Sequence, residues 1–104
     1  MSMETKVSYG FGYIISTPEI EKLGQKEYTQ LINSPWYHVI DGWSASHDAF
    51  FGIKLFDMEE GSYRRITLND KMDYQELVLM LEDYREIFKE TPTPADYYIL
   101  YFVY

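Results

Sequence analysis

An α+β sandwich, one antiparallel sheet with two helices on one face, is the fold class predicted for residues 1–104 as a single domain. Three observations carry it. Lys6 to Ile15 alternates strictly, with Val7, Tyr9, Phe11, Tyr13 and Ile15 on one face and Lys6, Ser8, Gly10, Gly12 and Ile14 on the other. Leu77, Met80, Leu81, Tyr84, Ile87 and Phe88 fall at helical spacing as one apolar stripe. Tyr97 to Tyr104 is apolar or aromatic at all eight positions, the pattern of a closing strand.

The elements follow in order. The first strand has a second face of mostly small residues, and Gly10 and Gly12 leave room there for a helix or another backbone to approach closely. Thr17-Pro18 supplies an N-cap and a first-turn proline, with Glu19 and Glu21 complementing the positive end of the helix dipole. Ile20, Leu23, Glu27 and Leu31, with Tyr28 and Ile32 beside them, predict one helix that Asn33-Ser34-Pro35 ends. Residues 35–48 have no decisive pattern: Trp36 to Ile40 could form a short strand and Asp41-Gly42 a turn. Ala49 to Asp57 and Ser62 to Leu68 read as a hairpin closed by Met58-Glu59-Glu60-Gly61, with Gly61 in the left-handed position. Asp73 and Glu76 make a capping-box-like start to the second helix, and Thr91-Pro92-Thr93-Pro94 breaks it. Strand, helix, two strands, helix and strand is the β-α-β-β-α-β order of ferredoxin-like domains. That likeness is one of architecture and carries no activity.

Composition narrows the function. There is no cysteine, which removes disulfides, thiolate metal sites and cysteine nucleophiles. Seventeen acids against nine Lys and Arg give a net charge of −8, which repels phosphate backbones and anionic lipid. Met1-Ser2-Met3-Glu4 lacks the basic and apolar segments of a leader, so a soluble, cytoplasmic protein is expected.

Candidate chemistry is sparse. His38 and His47 lie near Asp41 and Asp48, but at no recognised metal-ligand spacing, and the same residues are ordinary in polar loops. Ser44 or Ser46 beside His47 and Asp41 would make a nucleophile only by coincidence of folding. Gly10-Phe11-Gly12 lacks the third glycine of a dinucleotide fingerprint and sits within a strand, which favours close packing. No cofactor and no metal is expected.

Aromatic residues make up 18% of the chain, more than a core of this size hides easily. Exposed aromatics serve RNA stacking or protein contact, and the acidic balance selects protein. Residues 70–90 hold seven acids against three bases, with Glu76, Asp83, Glu86 and Glu90 along one helix side, and Asp57, Glu59 and Glu60 add charge at the hairpin. A solvated helix face is the plain explanation of such a stripe; docking on a basic partner is the functional one. The expectation is therefore a small acidic inhibitor that occupies a basic, nucleic-acid-binding kind of surface, with Trp36, Trp43 and Tyr63 as aromatic anchors. Phage anti-defence proteins such as anti-CRISPRs, and nuclease immunity proteins, are physical analogues that share no motif with it. Two alternatives stand beside it. One is a dimeric α+β-barrel enzyme using His38, His47, Tyr9 or Tyr63 on a small apolar substrate. The other is an assembly subunit that pairs through its C-terminal strand, and a homodimer through that strand or the sheet face belongs with these alternatives.

Overall fold

The computed structural model describes residues 5–40, 48–58, 61, 63, 74–90 and 93–103. In chain order these form strand β1 (Thr5–Ile15), helices α1 (Thr17–Glu21) and α2 (Gln25–Asn33), strands β2 (Tyr37–Val39) and β3 (Ala49–Met58), helix α3 (Tyr74–Phe88) and strand β4 (Asp96–Val103). The sheet order is β2-β3-β1-β4 with every neighbouring pair antiparallel, the ferredoxin-like arrangement. No helix among the described residues is long and apolar enough to cross a membrane.

The order of elements agrees with expectation, but two assignments inside it change. Among the described residues Ala49–Met58 is the third strand: it lies between β1 and Tyr37–Val39, a short strand that precedes it in the chain and pairs with it as a hairpin. The expected partner, Ser62 to Leu68, falls outside the described residues apart from Tyr63, which is in no strand. Gly61 does hold a left-handed φ of 78°. The expected first helix is two helices. Leu23 N donates to the Ile20 carbonyl at 3.1 Å, and Gly24 takes an extended conformation as the N-cap of α2. At the start of α1 the N-cap is Ser16 rather than Thr17. It makes no side-chain cap, and the Asp48 carboxylate accepts instead from Thr17 N at 3.0 Å and Thr17 Oγ1 at 3.2 Å. Asp73, expected to open the second helix, lies outside the described residues.

Strand alternation divides the core. Tyr13, Ile15, Ala49, Phe51 and Ile53 face the helices and bury Ile20, Leu31, Met80 and Ile87. Phe50, Leu100 and Phe102 form a second buried cluster on the opposite face, with Tyr98 and Ile40 packed on it. The room beside the β1 glycines is filled by β3. Gly12 pairs with Gly52, and the Phe50 ring lies over the sheet so that a Cβ at Gly10 or Gly52 would come within 2.8 or 2.6 Å of its Cζ. Between Tyr9 and Gly10 the register slips by one residue and leaves Leu55 unopposed. α2 packs on β2 and α3 on β3, and Tyr84 of α3 meets Tyr13 of β1 at 4.9 Å, so the helical layer covers β2, β3 and the Tyr13–Ile15 end of β1.

Candidate protein-binding surfaces

Charge is divided between the layers. Residues 17–33 and 74–90 carry eight carboxylates against Lys22, Lys26, Arg85 and Lys89, a net of −4. The four strands balance, with Lys6 and Lys54 against Asp57 and Asp96.

The expected carboxylate stripe follows the seam between α2 and α3. Asp83 accepts a hydrogen bond from Ser34 Oγ at 3.4 Å, and Glu86 accepts one from Gln30 Nε2 at 3.2 Å. Both carboxylates line an open groove of about 340 Å³ with Thr29, Asn33, Pro35 and Ile87. Glu76 in the first turn of α3 and Glu90 just beyond its end are exposed. Spacing on one helix could not show that Gln30 and Ser34 face this stripe, because that pairing is tertiary.

The other expected contact residues are dispersed. Asp57 is bound within the sheet, paired with Lys6 at 2.8 Å and accepting a hydrogen bond from the fully buried Ser8 hydroxyl. Trp36 is half-buried against the core, and its carbonyl accepts from Gly52 N at 2.9 Å. Tyr63 is 94% exposed. Glu59, Glu60 and Trp43 lie outside the described residues, as do Asp41, Ser44, Ser46 and His47. His38 and Asp48 serve different places: Asp48 holds the start of α1, while the His38 ring stacks at 6.1 Å on Phe50. Among the described residues no group of three metal-ligating side chains is gathered.

The helix-free face carries a polar cluster that the sequence did not signal. Lys54 Nζ stands 4.6 Å above the Phe102 ring, and His38 meets the same ring edge-on at 6.4 Å. Burial, and then the Lys54 charge, push the His38 imidazole down to about 4 against the opposing pull of Asp57. Burial alone would raise Asp57, but hydrogen bonds from Lys6 and Ser8 together with the Lys54 charge hold it below its ordinary value. A histidine whose folded pKa is depressed is protonated first in the unfolded chain. Stability is therefore expected to fall as pH drops from about 6.5 toward 4, whereas the Asp57 contribution is lost only below its unfolded value of 3.8. Urea midpoints measured across that range should decline for the native chain and stay flatter for His38→Gln; equal slopes would remove His38 as the cause.

A second open groove, of about 540 Å³, lies where α1, α2 and β2 meet. Ile20, Leu23, Tyr28, Tyr37 and Val39 give it apolar walls, with Thr17, Glu21 and Gln25 at its rim. Burial first, and then Tyr28, raise the Tyr37 hydroxyl above its ordinary pKa. This groove depends on β2, whose three residues are too few for a periodic signal.

At the other end of the sheet, rings line up on the helix-bearing face. Phe56 and Tyr9 stack at 5.2 Å, Tyr9 and Tyr97 at 5.7 Å, and Phe11 meets Tyr97 at 4.8 Å. The row ends on β4, where Tyr97, Ile99 and Tyr101 are 51%, 78% and 57% exposed. Fold and surfaces together define a small α+β domain with ferredoxin-like topology, an acidic helical layer and an apolar sheet edge. No family model, curated protein or solved structure matches the chain.

Proposed function

We propose that the chain is a protein-binding domain that acts by occupancy, with its acidic helical layer set against a basic surface of a partner. The observation that supports this reading is the division of charge: a net of −4 on the helical segments over strands that balance. Carboxylates at helical spacing present a row of anionic oxygens, so a surface built to receive nucleic acid is the partner chemistry this layer fits. Inhibition of such a partner then needs no catalytic group. A cytoplasmic setting goes with this reading.

The test compares proteins captured from a lysate by the native chain and by Glu76→Gln/Asp83→Asn/Glu86→Gln/Glu90→Gln. Basic nucleic-acid-handling proteins should be held by the native chain at low salt, released as salt rises, and missed by the variant. Asp83 and Glu86 also join α2 to α3, so Glu76→Lys/Glu90→Lys, at exposed positions, gives a second variant free of that complication. Retention of the same proteins by both variants, or of none by the native chain, removes the helical layer from the mechanism.

A further inference from the structure

We infer that β4 is a self-association strand, through which two copies of the chain join edge to edge in antiparallel register centred on Leu100. Among the described residues β4 pairs with β1 on one side only, and it closes the sheet. Its pairing with β1 runs from Thr5↔Val103 to Gly12↔Asp96 without a register slip. Proteins commonly protect such an edge with a lysine, a proline, a bulge or a cover. Residues 97–103 contain no charge and no proline, and Tyr97, Ile99 and Tyr101 stand more than half exposed.

The occupant follows from the order of these residues. Antiparallel pairing about a central residue sets position i opposite the position equally far on the other side, and keeps each side chain on its own face of the joined sheet. With Leu100 at the centre, Ile99 lies opposite Tyr101 of the second copy, Tyr98 opposite Phe102, and Leu100 opposite its counterpart. Each exposed aromatic then meets an aliphatic side chain, a favourable cross-strand combination, and this happens twice by symmetry. Asp96 falls outside positions 97–103, so no carboxylate opposes another within the pairing segment.

The rest of the fold permits the approach. α2 rests on β2, and α3 on β3 and on Tyr13 of β1, so among the described residues the acidic helices lie toward the outer ends of the joined sheet while the uncharged 97–103 segments of β4 meet. Edge pairing covers the main chain and the flanks of the side chains rather than their tops. The interface is therefore smaller than the roughly 1,200 Å² at which standard complexes begin, and the dimer should dissociate on dilution.

Sedimentation equilibrium of the full chain from micromolar to sub-millimolar concentration tests this. The molar mass should climb from 12.4 kDa toward twice that value and no further. Ile99→Lys/Tyr101→Lys puts like charges opposite one another and should remain monomeric throughout. Ile99→Glu/Tyr101→Lys puts opposite charges together in this register and should recover a dimer that salt weakens. Both variants alter exposed positions, and an amide spectrum with native dispersion verifies that each is folded. A native chain that stays monomeric, grows beyond a dimer, or associates equally well as the Lys/Lys variant overturns the proposal. A folded Glu/Lys variant that stays monomeric overturns the register. Neither variant touches the helical layer, so capture of basic partners by these same proteins reports separately on the occupancy reading.

Discussion

Phe50→Ala is expected to remove about 3–5 kcal/mol of stability, the range for deleting a buried aromatic ring. Phe50 is fully buried, and its cluster with Leu100 and Phe102 is one of the two on which the sheet closes. The surroundings cannot fill the space it would leave. Beneath the ring are the backbones of Gly10 and Gly52, which have no side chain to move, and around it His38 and Tyr98 meet it at ring distances of 6.1 and 6.3 Å. A cavity that cannot collapse puts the loss toward the upper end. Small domains have only about 5–15 kcal/mol in total, so the variant should be close to unfolding at ambient temperature. Guanidinium unfolding followed by tyrosine and tryptophan fluorescence measures the difference. A shift below about 1 kcal/mol would mean that the cluster repacks, contrary to a glycine floor.

Gly12→Ala should be the most damaging addition of one methyl group to β1, at about 1–3 kcal/mol or more. A Cβ at this position would fall on the carbonyl oxygen of Phe51 and within 2.5 Å of the Gly52 Cα. Both obstacles are main chain, so relief requires the two central strands to separate and strain the ladder between them. Gly24→Ala is the informative contrast. There the nearest atom is a Glu27 carboxylate oxygen at 2.7 Å, the end of a flexible side chain that can swing away. Thermal unfolding of the two variants side by side should place Gly12→Ala several degrees lower; equal midpoints would show that the close approach of β1 to β3 is not needed for stability.

These two positions show what was legible in the sequence and what was not. Strict alternation from Lys6 to Ile15 identified β1, and the glycines within it did signal a close neighbour. Which neighbour was hidden, because strand pairing joins Gly12 to a residue forty positions away. α3 and β4 were legible because their apolar patterns run for several turns or a full strand. β3 was recognised as a strand, but its pairing with Tyr37–Val39 was not, because three residues are too few to advertise a strand; the expected partner at 62–68 lies outside the described residues apart from Tyr63. Gly24 was the available sign that the first helix divides, outweighed by apolar spacing that continues across the break. In the candidate surfaces, Glu76, Asp83, Glu86 and Glu90 were visible as a stripe. The engagement of Asp83 and Glu86 with α2, and of Asp57 with Lys6 and Ser8, depends on tertiary neighbours that spacing does not encode.

Among the described residues, the balanced strands beneath the acidic helices separate charge across the two layers, in addition to the net charge of the chain. A net charge draws the protein toward a cationic surface, but a dipole also turns it. On the occupancy reading proposed above, the field of a basic partner would turn the described layers before any side chain touches, helices leading and sheet trailing. The β4 edge runs within the trailing layer, so a copy held by its helices still offers that edge to the solution.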